Sequence, residues 1–156
     1  MRAFLRALIL LAAFLGGCTG LTMINESAPQ VITSKNVQTL HKREWTLKTL
    51  AVDGRQVVMD VDARITIRFE AGGQVFGFAA VNRFNGTYRL NEEGVLDWSR
   101  PGYAATRRAG PPELMEKERA FLSALGRTSA VILSRHALQL QSDDSTTVLL
   151  FHETGY

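Results

Sequence analysis

The feature that most constrains the fold is a strict alternation of apolar and polar residues at positions 64–70, the first part of the stretch RITIRFEAGGQ at 64–74. Ile65, Ile67 and Phe69 fall on one side of an extended chain, and threonine, arginine and glutamate fall on the other. A period of two residues predicts a half-buried β-strand. The glycine pair that follows predicts a hairpin turn, with residues 74–80 as the partner strand.

A second hairpin is predicted at Asn85-Gly86, because both central residues of a two-residue turn must accept positive φ angles. A turn there would place Arg83 opposite Tyr88, and residues 75–90 would be apolar on both faces. One face would hold Val75, Gly77, Ala79, Val81, Tyr88 and Leu90, and the other Phe76, Phe78, Ala80 and Phe84. We expect core packing on both sides, with a lipid- or ligand-binding groove as the alternative.

The period changes after two consecutive prolines, where residues 113–126 read ELMEKERAFLSALG. Proline suits the first helical turn and Gly126 the position just past the end, so we predict one helix over residues 112–125. Eight or nine short strands are indicated elsewhere. Together they predict a mainly β (α+β) fold, an antiparallel curved sheet or half-barrel of about eight strands packed on one helix. Strands and helices do not alternate, which argues against a parallel α/β sheet.

The N-terminal residues have the features of an export signal. Arg2 and Arg6 precede an apolar run at residues 7–15, which is far shorter than the ~20 residues that a membrane-spanning helix needs. Small residues follow the run, as at a secretory cleavage site.

Residues 15–18 read LGGC and resemble the lipobox of bacterial lipoproteins. The resemblance implies lipidation of Cys18 and removal of a signal peptide at residues 1–17; the alternative is an ordinary signal peptide with a chance cysteine. Thr19 after the cysteine resembles the sorting pattern for outer-membrane retention. We therefore expect an outer-membrane lipoprotein facing the periplasm if the cell is Gram-negative, with the membrane as a partner through the lipidated cysteine.

Residues 18–42 are polar and lack a sustained period, which predicts a flexible tether, and residues 43–156 are predicted to form one domain. The chain has 18 basic and 15 acidic residues. Loss of Arg2 and Arg6 would leave 16 against 15, a formal charge of about +1. That balance, together with export, argues against nucleic acid as a partner. Cys18 is the only cysteine, so no disulfide or thiolate metal site is expected.

Four stretches, taken in order, carry a resemblance to a known family. They are the opening Trp45-x-Leu47-x-x-Leu50, VFGFAAVNRFNGTY at 75–88, ATRRAGPPELMEKERAFLSAL at 105–125 and LQLQSDDSTTVLLF at 138–151. Together they resemble the META domain family, the domain of HslJ-like heat-shock lipoproteins. The resemblance implies a lipocalin-like β-rich half-barrel packed on one helix, and a link to envelope stress. It marks Asn82, Gly86, Tyr88 and Thr106 as motif positions.

The chain departs from the family pattern at two positions. The family often has a cysteine where this chain has Val81, and another where it has Gly110. The absence of both is what we expect if those cysteines pair in relatives. The hypothesis that follows is that Val81 and Gly110 lie close together, with Cα atoms within about 7 Å.

Two polar side chains interrupt otherwise apolar stretches. We expect the amide of Asn82 to satisfy backbone groups of a neighbouring loop, with a ligand contact as the alternative. Glu118 lies on the inner face of the predicted helix, where a carboxylate needs a partner or a proton. We expect a structural ion pair with Arg83, Arg107 or Arg108 rather than catalysis. These arginines, or Arg89, could instead form a basic patch for an anionic lipid headgroup or simply a solvated face.

No signature of an enzyme occurs. The three histidines lack metal-ligand spacing, and no nucleophile elbow, phosphate loop or dinucleotide fingerprint is present. We therefore predict no catalytic residue, no metal and no cofactor. The expected function is that of a monomeric, lipid-anchored, non-enzymatic envelope protein that binds or stabilises an envelope protein or a lipid.

Three alternatives remain open at this stage. One is a carrier that holds a lipid or small hydrophobic ligand between sheet and helix, and the second is a pilotin-like chaperone of outer-membrane secretin assembly. The third is a hydrolase, which would need a histidine and a carboxylate that meet in a cleft. A large apolar cavity behind Phe76 and Phe78 would favour the carrier, and a dry core with an exposed apolar groove would favour a protein partner.

Overall fold

The computed structural model describes residues 28–59, 62–98 and 102–155. These residues form twelve strands, one α-helix and a short 3-10 helix at Val37–Leu40. The elements are β1 (Gln30–Val31), β2 (Glu44–Val52), β3 (Arg55–Val57), β4 (Ile65–Glu70), β5 (Gln74–Ala79), β6 (Asn82–Thr87), β7 (Arg89–Leu90), β8 (Leu96–Asp97), β9 (Tyr103–Ala105), α1 (Pro112–Leu125), β10 (Ala130–Leu133), β11 (Ala137–Gln141) and β12 (Val148–Glu153).

Ten strands form one antiparallel sheet in the order β1-β10-β11-β12-β2-β4-β5-β6-β9, with β3 added beside β2. Strands β7 and β8 form a separate two-stranded ribbon. The sheet is curved and does not close into a barrel. The predicted fold class, a mainly β half-barrel with one helix, is therefore confirmed. The sheet has more strands than the eight expected, because several are only two or three residues long.

The hydrophobic core lies between the inner face of the sheet and the helix. Alternate residues of the strands point inward, as the two-residue period predicts, and Ile65, Ile67 and Phe69 are fully buried. The helix begins at Pro112 and ends at Leu125, as predicted. Its Phe121 lies at the centre of the core, with ring centroids 5.6 Å from Phe84 and 6.5 Å from Phe151.

The second hairpin turns at Ala80-Val81, not at Asn85-Gly86, so that prediction is wrong. Ala79 pairs with Asn82 across a two-residue turn, and Ala80 has a φ of 63°. Gly86 lies inside β6, where a Cβ atom would come within 2.9 Å of the carbonyl oxygen of Gly102. The glycine is needed for a close approach of two backbones rather than for a positive φ.

Moving the turn changes which residues share a face. Phe84 now lies opposite Gly77, and its ring occupies the space that a Cβ atom of that glycine would need. Phe84 is therefore buried on the inner face, whereas Phe76 is 38% exposed on the outer face. The predicted grouping of Phe84 with Phe76 is wrong, because the turn lies between them and pairs the odd-numbered residues of β5 with the even-numbered residues of β6.

The predicted tether also needs correction where the structure describes it. Strand β1 pairs with β10, and Ile32 and Leu40 are fully buried. Residues 30–42 therefore belong to the domain, and the predicted boundary at residue 43 is wrong. The apolar residues of this stretch, Val31, Ile32, Val37 and Leu40, follow no sustained period, so the sequence does not reveal that two of them are anchors. The predicted signal peptide, Cys18 and the tether up to residue 27 lie outside the described residues.

A charged cluster joins the start of β2 to the end of β12. Glu153 accepts hydrogen bonds of 2.7 and 2.6 Å from the guanidinium of Arg43 and lies 3.4 Å from Nδ1 of His136. The Arg43 guanidinium also stacks over Trp45 at 4.3 Å. The hydrogen bonds from Arg43, aided by His136, hold the pKa of Glu153 below its ordinary value. Ionised Glu153 is therefore more favourable in the folded than in the unfolded chain.

This cluster predicts an acid-dependent loss of stability. Glu153→Gln should lower the free energy of unfolding by a constant amount above about pH 5.5, where the glutamate is ionised even in the unfolded chain. The difference in free energy of unfolding between the unsubstituted protein and the variant should shrink as the pH falls through the lowered pKa of Glu153, and it should vanish below that pKa. Urea titrations from pH 3 to pH 7 measure it, with Glu92→Gln in an exposed pair as the control. A difference that stays constant down to pH 3 would contradict the assignment.

Candidate functional site

Two features of the domain are candidates for function: a buried polar cluster below the Ala80-Val81 turn, and an open groove on the outer face of the sheet. The buried cluster is centred on Asn82, the first residue of β6, which is 1% exposed. The tight turn directs this side chain inward toward the helix, where it faces Glu118. Both residues were singled out in the sequence.

The amide of Asn82 has a partner for every donor and acceptor. Its Nδ2 donates to Oε1 of Glu118 at 2.9 Å and to the carbonyl oxygen of Arg108 at 3.2 Å. Its Oδ1 accepts from the hydroxyl of Thr106 and from the backbone N–H of Arg108, both at 2.8 Å. Two N–H groups and two lone pairs are the full capacity of a primary amide. The side chain is therefore satisfied without a ligand.

Glu118 is 8% exposed, and within the described residues Asn82 supplies both of its hydrogen-bond donors: the backbone N–H donates to Oε2 at 2.8 Å and the side-chain amide to Oε1. Among the residues that the structure describes, no arginine lies within salt-bridge distance of it. The predicted ion pair with Arg83, Arg107 or Arg108 is therefore wrong. Two charge-assisted hydrogen bonds from one asparagine replace it, and the cluster joins the turn, the 106–108 segment and the helix.

Val81 and Gly110 lie beside this cluster and touch each other. A Cβ atom placed on Gly110 would be 3.5 Å from Cβ of Val81 and 2.8 Å from its Cγ1. Disulfide-bonded cysteines have Cβ atoms about 3.5–4.5 Å apart. The closeness expected from the family resemblance is therefore present, and the valine methyl groups occupy the space that a second side chain would fill.

The remaining motif residues have structural surroundings. Tyr88 is buried, and its ring meets Phe69 edge-on at a centroid distance of 5.1 Å. Burial, with a contribution from Glu70, raises the pKa of Tyr88 to about 12. The hydroxyl donates to the carbonyl oxygen of Glu70 at 3.4 Å. Gly86 permits the approach of β9, as described above.

The predicted basic patch is only partly assembled. Thr106 joins Arg83 through two hydrogen bonds, one from the Arg83 N–H to the threonine hydroxyl and one from the Thr106 N–H to the Arg83 carbonyl. Arg107 and Arg108 follow directly and are exposed. Arg89 lies in the separate β7–β8 ribbon and is not part of this group.

The second feature is an open groove of about 540 Å³ on the outer face of β4, β5 and β6. Phe76 and Phe78 lie at its centre, because alternate residues of β5 point outward and Gly77 between them points inward. We call this surface the outer groove. Its lining comprises Glu44, Arg64, Thr66, Arg68, Phe76, Gly77, Phe78, Arg83, Phe84 and Asn85.

The arginines of the outer groove differ in their pairing. Arg68 is 2.7 Å from Glu70 and lies 6.0 Å from the centre of the Phe76 ring. Arg64 is held loosely by Glu44, at 3.5 Å. Arg83 has no carboxylate within 4 Å among the described residues. The groove therefore combines two exposed or half-buried phenylalanines with one unpaired guanidinium and two that are paired on the surface.

Sequence reasoning found Phe76, Phe78 and Arg83 but missed Arg64 and Arg68 as neighbours of this surface. Their signal was the outward-facing half of the alternating strand at residues 64–70. Only the pairing of β4 with β5 shows that these arginines stand beside the phenylalanines.

The described part of the chain contains no group of three or more histidine, cysteine or acidic side chains placed to hold a metal ion. Within the same residues, no helix is both long and apolar enough to cross a bilayer.

Comparison with known proteins gives one family match: the model of the META domain matches residues 38–155. No curated protein matches the chain. Among solved structures, an NMR structure of a protein from Burkholderia xenovorans has 26% sequence identity and a TM-score of 0.61. The alignment covers 83% of this chain and 93% of that protein.

Two further solved structures share the fold. A crystal structure of a DUF4847 family protein from Bacteroides vulgatus has a TM-score of 0.56 at 12% identity, and covers 74% of this chain and 95% of its own. At that identity the likeness concerns the fold alone. A second NMR structure has a TM-score of 0.52 at 26% identity, and covers 74% of this chain and 92% of its own.

The buried cluster predicts a strong coupling between Asn82 and Glu118. Asn82→Ala should lower the free energy of unfolding by about 3 kcal/mol, because it leaves buried donors and acceptors without partners. Glu118→Gln should lower the free energy of unfolding by about 2 kcal/mol. The NH2 group of glutamine replaces one carboxylate oxygen, so it would face an N–H donor of Asn82. The double variant should lose at least about 1 kcal/mol less than the sum. Chemical denaturation measures all three. Asn85→Ala, an exposed asparagine in the same strand, is the control; additive losses would contradict the coupling.

The contact between Val81 and Gly110 predicts that a disulfide can be introduced. The double variant Val81→Cys/Gly110→Cys should oxidise spontaneously, and closing a loop of roughly 30 residues should stabilise it by about 3–4 kcal/mol relative to its reduced form. The glycine does not have a positive φ, so a cysteine fits its backbone. Thermal unfolding with and without reductant measures the gain. A pair that remains reduced in air, or no difference between the two forms, would contradict the geometry.

Proposed function

This chain belongs to the META domain family, and from that premise we propose that it is a non-enzymatic binding protein held at the cell envelope by lipidated Cys18. In this proposal its partner is an envelope protein, and the outer groove is the surface that contacts it. The protein acts as a monomer that binds or stabilises its partner, and the stress-related role follows only from the family resemblance.

The observation that carries the proposal is the contrast between the two faces of the sheet. On the inner face the space below the helix is filled by side chains, and Phe121, Leu125 and Phe151 are fully buried. On the outer face the groove is open and has phenylalanine rings at its centre. Aromatic side chains and arginine are enriched at protein interfaces, so this composition supports a partner bound at the surface.

The same contrast weighs against the carrier. A carrier would hold an acyl chain between sheet and helix, where the rings of Phe84, Phe121 and Phe151 pack against one another. A chaperone of secretin assembly would be one kind of protein that binds an envelope partner, and the experiment below would detect that partner as well.

The position of Cys18 is compatible with binding close to a membrane. Ten peptide links join it to Ala28, where the described domain begins. Such a connection spans at most about 35 Å when fully extended. A lipid on Cys18 would therefore keep the start of the domain within about 35 Å of the bilayer surface, where an envelope partner would be concentrated.

The test combines the anchor and the surface in living cells. A photoreactive phenylalanine analogue in place of Asn85 should give ultraviolet-dependent protein adducts, because that exposed residue lines the groove. The same analogue in place of Arg55, exposed on β3 outside the groove, is the control.

Cys18→Ser should abolish labelling with a palmitate analogue, release the protein from membranes and weaken the adducts. Adducts no stronger than at the control position would contradict the binding role, and unchanged membrane association of Cys18→Ser would contradict the anchor.

A further inference from the structure

The outer groove has a regular arrangement that restricts what it can bind. Strand pairing places Arg68 directly opposite Phe76 and, in the next row, Phe78 directly opposite Arg83. The two arginines belong to β4 and β6, and the phenylalanines to β5 between them. The groove therefore has an apolar centre with a positive charge on each side, rather than a single basic end.

The spacing of the two charges follows from sheet geometry. Arg68 and Arg83 are two strands apart and displaced by two residues along the strands, which separates their Cα atoms by roughly 12 Å. In an extended peptide, residues at positions i and i+4 lie on the same side and are about 13 Å apart, with position i+2 between them. Two carboxylates at i and i+4 thus match the arginines, and an apolar side chain at i+2 matches the phenylalanines.

The charges of the groove leave room for an acidic partner. Arg83 has no carboxylate within 4 Å among the described residues. The pairs Arg68–Glu70 and Arg64–Glu44 are partly exposed to solvent, so their geometry is weakly held and either arginine can turn to a new carboxylate. Arginine recognises carboxylates through a fork of N–H donors, which makes it suited to this exchange.

We propose that the outer groove binds an extended acidic segment of a partner protein, in which two carboxylates flank an apolar side chain at two-residue spacing. The inference rests on the proposed binding function and specifies its partner. A lipid headgroup would use one of the two positive sides and leave its chain on an open, partly polar face. A peptide uses both sides and the centre, and the groove residues that it would contact, phenylalanine and arginine, are enriched at protein interfaces.

The direct test uses a defined peptide and the chain from residue 18 onward with Cys18→Ser, labelled with ¹⁵N. The blocked peptide Glu-Ser-Leu-Ser-Glu should shift amide resonances of β4, β5 and β6 in fast exchange, with a dissociation constant in the millimolar range or tighter. Two control peptides replace either both glutamates by lysine or the leucine by serine. The lysine peptide should bind at least tenfold more weakly, and the serine peptide should also bind more weakly.

Variants of the protein locate the binding surface. Arg83→Glu should weaken binding of the glutamate peptide at least tenfold, since it replaces the unpaired attractive charge by a repulsive one. Arg89→Glu makes the same change of charge on the separate ribbon and should leave binding unaltered. Circular dichroism should show unchanged unfolding for both, because both side chains are exposed.

Three outcomes would overturn the inference: equal binding of the lysine peptide, shifts confined to residues outside β4–β6, or equal effects of the two charge reversals. Vesicles of phosphatidylglycerol form a separate arm; if they shift the same amides and the glutamate peptide does not, the groove recognises an anionic lipid surface instead. Adducts at Asn85 in cells that map to a non-acidic partner segment would overturn this inference while leaving the proposed binding function intact.

Discussion

The structure depends on the hydrogen bonds between Asn82 and Glu118. These two buried side chains hold together three parts of the chain that are distant in sequence: the Ala80-Val81 turn, the segment at 106–108 and the helix. Every donor and acceptor of the amide is used, so the arrangement tolerates only one orientation of each part. Buried polar groups are costly when unpaired, and a fully paired set therefore specifies a unique packing.

The outer groove is a consequence of that constraint. With Asn82 fixed inward, the alternation of side chains along β6 places Phe84 inward and Arg83 outward. Pairing across the turn then sets Phe78 outward beside Arg83 and leaves Gly77 inward beneath the Phe84 ring. A slip of one residue in the pairing of β6 with β5 would turn Arg83 toward the helix and Phe84 toward solvent. The same strand register therefore determines both the buried cluster and the outer groove.

Sequence patterns predicted the parts of the fold that local chemistry determines. The alternating strand at 65–70 and the helix at 112–125 were found. A two-residue period indicates a half-buried strand, and proline in the first turn followed by helical spacing indicates a helix start. Asn85-Gly86 misled, since a glycine can serve either a positive φ or a close approach of backbones, and only the pairing with β9 distinguishes them. The partner of Glu118 was missed for a related reason: charge suggests an arginine, whereas the neighbour is set by tertiary packing. The arginines beside the groove had the appearance of an ordinary solvated strand face until the strands were paired.

The Val81–Gly110 contact shows how the domain remains closed at this point without a covalent bond. In relatives with cysteines at these positions, a disulfide would tie the turn to the segment before the helix, and the entropic gain would be about 3–4 kcal/mol. In this chain the same two segments are joined by Asn82, which bonds to Thr106 and Arg108, and by the valine methyl groups against Gly110. Each buried hydrogen bond contributes about 1 kcal/mol, and more when a charged group takes part. Several such bonds match one disulfide in magnitude, so a non-covalent clamp is sufficient to hold the turn, and with it the register that exposes Phe78 and Arg83.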